Sequence, residues 1–145
     1  MATPVTQGTL NRLRGTISFI DHPELNITPG YLGKDMISIT PQGDVTHIIP
    51  TATGVVTSPE PYQVMEFSAH VLRTNGLGDR FKKQIENIST LGDATIRSDS
   101  SSFSDYNVSN VSVKSVDAIK MNGEDAGWMI HFSGAYQING SLYNL

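Results

Sequence analysis

Four histidines, His22, His47, His70 and His131, are the side chains most able to bind a metal or move a proton near neutral pH. They are scattered, and no two stand at the spacing of a helical zinc pair. His22-Pro23-Glu24 matches the opening of a zinc-deaminase signature, but that chemistry needs a downstream pair of cysteine ligands and the chain has no cysteine. The same absence removes thiol nucleophiles, zinc ribbons and disulfides. Serine is frequent, yet no Gly-x-Ser-x-Gly elbow occurs and no acid and base are placed by sequence beside any one serine. Neither common glycine-rich phosphate cradle is present. Asn-x-Ser/Thr triplets begin at Asn26, Asn87, Asn107, Asn110 and Asn139; with no signal-peptide core in Met1 to Arg14, they read as a product of composition. The expectation is therefore no catalytic residue, no metal and no cofactor, and an enzyme using Asp with His70 or His131 is the weakest reading.

The elements that carry these residues are mostly strands. From Gly127 to Asn139, Trp128, Ile130, Phe132, Tyr136 and Ile138 fall on one face, broken by Gly134, while Met129, His131, Ser133, Ala135 and Gln137 fall on the other. Val111 to Met121 precedes it, and Asn122-Gly123 between them predicts a C-terminal hairpin with a tight turn. Tyr62 to Arg73 fits a helical stripe through Val64, Phe67 and Val71. Alternation of Met65, Phe67, Ala69 and Val71 with Glu66, Ser68 and His70 favours a strand. Arg12 to Ile20 predicts a strand with Leu13, Ile17 and Phe19 on one face. Met36 to Thr40 and Asp44 to Ile49 predict a second hairpin around Thr40-Pro41-Gln42-Gly43. One helix is expected over 77–91, where Leu77, Phe81, Ile85, Ile88 and Leu91 form a stripe and Gly92 supplies a stop. Loops are expected at 50–61 and 98–107, with an N-terminal arm over 1–11.

The 145 residues fit one domain, with hydrophobic residues at 38% and charged residues at 17%: enough to fold in water and too polar for a membrane span. Ten basic against fourteen acidic residues give a net charge of -4, which argues against gripping nucleic acid through its phosphates. The fold class is mainly β (α+β): an antiparallel sandwich or partial barrel with one flanking amphipathic helix. Long strands with few lysines are poor free edges, so neighbouring copies are expected to pair with them.

The second half of the chain carries a recognisable order of segments. Val71-Leu72-Arg73-Thr74-Asn75-Gly76-Leu77 leads into the helix with Gln84-Ile85-Glu86. Then come Leu91-Gly92-Asp93-Ala94-Thr95, Asp99, Tyr106, Asn110 and the Val111 strand. Asn122-Gly123-Glu124-Asp125-Ala126-Gly127 and Ser133-Gly134-Ala135-Tyr136-Gln137-Ile138-Asn139 complete it. From Val71 to Leu145 the chain resembles the tail tube proteins of contractile-tailed bacteriophages, a family related to pyocin tubes and the tube of type VI secretion. The first half matches only in its pattern of strands and a long loop.

The resemblance implies a structural subunit of a virion tail: hexameric rings, closed as a shared β-barrel and stacked into a tube. It implies a sheath outside, baseplate and terminator proteins at the ends, and in the lumen first a tape measure protein and then double-stranded DNA, passed without specific binding. Assembly would take place in the host cytoplasm. On that reading Glu66, Ser68, His70, Ser112, Lys114, His131, Ser133 and Gln137 are candidates for the lumen lining, although alternation does not say which face is inward. Thr51, Gly54, Val55, Val56 and Pro59 are candidates for contacts between rings or subunits. A pyocin-like or secretion tube, or a virion decoration module that stays small and binds a ligand, are the competing readings.

Overall fold

The computed structural model describes residues 3–8, 15–98 and 104–143. The chain forms β1 (Gly15–Phe19), two short 3-10 turns, β2 (Leu32–Gln42), β3 (Thr46–Pro50), β4 (Val55–Pro59) and β5 (Tyr62–Leu72). The helix α1 (Leu77–Asn87) follows, then β6 (Thr90–Ser98), β7 (Tyr106–Val116) and β8 (Gly127–Gln137). Six strands make one antiparallel sheet in the order β1-β6-β7-β8-β5-β2, and β3 with β4 makes a separate two-stranded hairpin.

Alternation places the core as the sequence suggests. Met65, Phe67, Ala69 and Val71 of β5 and Trp128, Ile130 and Phe132 of β8 are buried, and the register sets Phe67 opposite Phe132. Their rings stack with centroids 5.0 Å apart. Phe19 of β1 also lies 5.8 Å from Phe132. In a flat sheet β1 and β8, with two strands between them, would stand about 14 Å apart. The sheet therefore curls into a half-barrel that encloses these side chains on its concave face. Its outermost strands return toward each other, and a Cβ on Gly15 of β1 would sit 3.2 Å from the Ile37 side chain of β2.

The helix closes this trough. Leu77 and Phe81, one turn apart, are fully buried, and Phe81 meets Phe132 edge-on at 5.7 Å. The helix is shorter than the apolar stripe implies. Ile88 is already extended (φ -155, ψ 132), so the helix stops at Asn87. Leu91 is buried from β6 instead. The stripe misled because Leu91 meets the same core from a strand. Gly92 is a strand residue with φ +85, at a register shift where β6 pairs with β7, rather than a helix cap. A Cβ there would also come 2.3 Å from Asp21 Oδ2.

Two hairpins differ from expectation. β2 and β3 do not pair: β2 continues through Pro41 and Gln42 along β5, and Gly43 (φ +84) turns the chain out of the sheet. Pro41 is tolerated because β2 is an edge strand with a side that needs no donor. The expected loop over 50–61 instead contains β4, which pairs with β3. The C-terminal hairpin forms, β7 against β8. Its connection, 117–126, is an extended loop whose Asn122 side chain accepts from the Glu124 and Asp125 amides. Gly134 interrupts the apolar face of β8 because a Cβ there would lie 2.5 Å from Val108 Cγ1 and 3.0 Å from the Ser109 carbonyl. Ile17 and Phe19 are buried as expected, whereas Leu13 and residues 99–103 of the expected 98–107 loop lie outside the described residues.

Candidate functional site

The convex face of the sheet is polar across four contiguous strands, β2, β5, β8 and β7. The registers align its side chains in rows that cross the strands. One row runs Thr40, Glu66, Ser133, Ser112, and the next runs Ser38, Ser68, His131, Ser115. Period-two alternation does this: apart from Ser115, each of these residues neighbours an apolar side chain packed in or against the core. A register shift between Val113 and Ser115 places Lys114 in a bulge at the edge of the rows. Its ammonium reaches across β8 to Glu66 Oε1 at 2.5 Å, with the two side chains 52% and 29% exposed. His131 Nε2 lies 3.0 Å from Asp117 Oδ1. Ser38, Thr40, Glu66, Ser68, Lys114 and His131 line an open depression of about 250 Å³.

Glu66, Ser68, Ser112, Lys114, His131 and Ser133 are thus brought together. His70 shares the face but lies toward one end, its ring over the positions where Gly33 and Gly127 leave space: a Cβ on either would come 2.6 or 2.0 Å from a ring nitrogen. That end opens into a second depression bordered by Asp117, Lys120, Glu124 and Asp125. Gln137 sits at the opposite end, beyond the apolar pair Val64 and Ala135. Ser38, Thr40 and Ser115 complete the rows and were not singled out from sequence. The alternation of Ser38 and Thr40 with Ile37 and Ile39 is the signal that could have found the first two. Among the described residues no three His, Asp or Glu side chains group to hold a metal ion. The chemistry available here is hydrogen bonding by hydroxyls around one compensated ion pair.

The β3–β4 hairpin is a second feature. Thr51 and Gly54 close its turn, with Thr51 N donating to the Gly54 carbonyl at 2.8 Å and Gly54 N to Thr51 Oγ1 at 3.1 Å. Val55 and Val56 are 64% and 52% exposed, and on the other strand Ile49, opposite Val56, and its neighbour Ile48 are exposed as well. Pro59 pairs with Thr46 at the root. A lone two-stranded hairpin is marginal in water, and an apolar one in solvent on both faces lacks a cover. The candidate residues of 51–59 therefore belong to one projecting arm. On the helix, by contrast, the exposed charges compensate one another. Lys82 donates to Glu86 at 2.7 Å, a bond that together with the carboxylate's charge pushes the ammonium above its usual range, and Lys83 pairs with Asp79 at 3.1 Å.

The half-barrel has a solved counterpart. Over 91% of this chain and 94% of the other, with a TM-score of 0.56 and 16% sequence identity, it matches a chain of an extracellular contractile injection system, a PVC sheath–tube complex in the extended state. At that identity the likeness is one of fold. No protein-family model matches the sequence, and no curated protein matches it. Among the described residues no helix is long and apolar enough to cross a membrane.

Proposed function

We propose that this chain is the repeating wall subunit of a tube in a contractile tail or injection apparatus. The observation that carries the reading is the convex polar face: four adjacent strands present rows of hydroxyls that no element among the described residues covers. A single chain of eight strands closes at most a barrel filled by its own side chains, whereas an aqueous bore takes roughly sixteen strands or more. About six copies, each lending β7, β8, β5 and β2, pass that threshold, with the convex faces turned toward the bore. The contact is heterologous, one edge against a different edge, and closes into a ring when the rotation between copies is right. Ring stacking then uses the apolar β3–β4 arm, with Val55 and Val56 against a second copy. The helix is left on the outside, available to a sheath.

In the phage setting, a tape measure protein would fill the lumen during assembly and double-stranded DNA would pass later. The rows suit such a conduit because Lys114, the cation described in them, is held by Glu66, so among the described residues of the rows no lysine or arginine is left unpaired to trap phosphate. Baseplate and terminator proteins would bind the tube ends. The solved neighbour comes from an extracellular injection system, and this favours a pyocin-like or injection-system tube as a second setting for the same subunit. Negative-stain microscopy of the purified chain over a range of concentration and salt tests the reading. Stacked rings or hollow tubes are expected, and a strictly monomeric species throughout would overturn it.

A further inference from the structure

The β3–β4 arm touches the rest of the chain mainly at its root, and one short segment makes most of the hydrogen bonds there. Asn139 Nδ2 donates to the carbonyls of both legs, to Glu60 at 2.7 Å and Val45 at 3.3 Å. Tyr143 Oη donates to the Pro59 carbonyl at 2.7 Å. Ile138 N donates to the Pro61 carbonyl at 3.0 Å, and Glu60 N closes the legs on the Val45 carbonyl at 3.0 Å. The segment is itself fixed. Asn139 adopts φ +53, a left-handed conformation that asparagine tolerates, and its carbonyl accepts from the Leu142 and Tyr143 amides, folding Tyr143 back onto the arm.

We infer that Asn139 and Tyr143 are positioning residues that set the angle at which the arm leaves the body, and so determine whether it can engage a second copy. This rests on the reading of the arm as an assembly contact. Each strand of the arm is five residues long, or about 17 Å, so a swing of about 20° at the root moves the tip by about 6 Å. Preorganised interfaces move by about 1 Å or less between the free and bound states. An arm free to swing would have to be ordered on every docking event, and that cost falls on assembly rather than on the fold of the subunit.

The chain has no cysteine, so two introduced cysteines can be labelled without background. Spin labels at Thr53 on the tip and Lys83 on the outer face of the helix report the arm's angle in the unassembled protein. Asn139→Gly tolerates the left-handed backbone and removes the whole side chain, its amide included, and Tyr143→Phe deletes only the hydroxyl. The double variant should broaden the label–label distance distribution, leave the melting temperature of the unassembled protein within about a degree or two, and raise the concentration needed for assembly. The rise should be about tenfold or more, equivalent to about 1.4 kcal/mol. Tyr143→Phe alone should show the same changes at smaller size and serves if the double variant folds poorly. Unchanged distances, or wild-type assembly by the double variant, would overturn the inference. Lost assembly with an unaltered distance distribution would also overturn it, because the residues would then act by direct contact. If the wild type never assembles, the tube reading fails on its own, while a narrow wild-type distribution that broadens in the variant still upholds the arm clamp.

Discussion

Glu66→Gln is expected to turn a neutral polar face into one that holds polyanions. The substitution keeps the size and hydrogen-bonding capacity of the side chain and removes the carboxylate charge that pairs with Lys114 at 2.5 Å. Because both partners are partly exposed, the fold should lose little, on the order of 0.2–1 kcal/mol. The electrostatic effect is larger because it repeats around a ring. If about six released ammonium groups meet phosphates, the slope of log K against log salt steepens by about 5, and affinity gains about a thousandfold between 200 and 50 mM salt. The assay is fluorescence anisotropy of a short labelled duplex titrated with assembled protein across that salt range. Wild type should bind weakly, Glu66→Gln strongly and with steep salt dependence, and the double variant Glu66→Gln, Lys114→Gln as weakly as wild type. Assembled Glu66→Gln protein that binds no better than the double variant would refute the argument that this pair neutralises the bore.

Three further outcomes are expected. Phe132→Ala removes the ring on which Phe19, Phe67 and Phe81 converge and should cost about 3–5 kcal/mol in urea unfolding. Gly92→Ala imposes a side chain at φ +85 against Asp21 and should destabilise by about 1–3 kcal/mol, read as a lower denaturation midpoint. Ile49→Asp with Val56→Asp, opposite each other on the arm, should leave the melting temperature of the dissociated subunit nearly unchanged and abolish sedimentable assemblies.

The parts of the fold legible in the sequence were those where one periodicity acted alone. β5 and β8 alternate cleanly because each has one enclosed face, and the polar candidates therefore landed on a common face. Where two elements bury into one core, spacing misled: Leu91 continued the helical stripe but is buried from β6. Tertiary pairing was less visible still. Thr40-Pro41-Gln42-Gly43 has turn chemistry, yet β5 holds β2 extended through Pro41, and β3 finds β4 instead. The roles of Asn139 and Tyr143 had no local signal, since their partners, Glu60 and Pro59, lie far away in the chain.

The central claim is that the convex face of β7, β8, β5 and β2 lines a bore shared by several copies. An electron cryomicroscopy reconstruction of the assembled chain tests it most directly. The account predicts stacked rings around a hollow lumen, with Glu66, Ser68 and Ser133 facing inward and the helix outside. Rings with that face turned outward, or particles with no lumen, would contradict it.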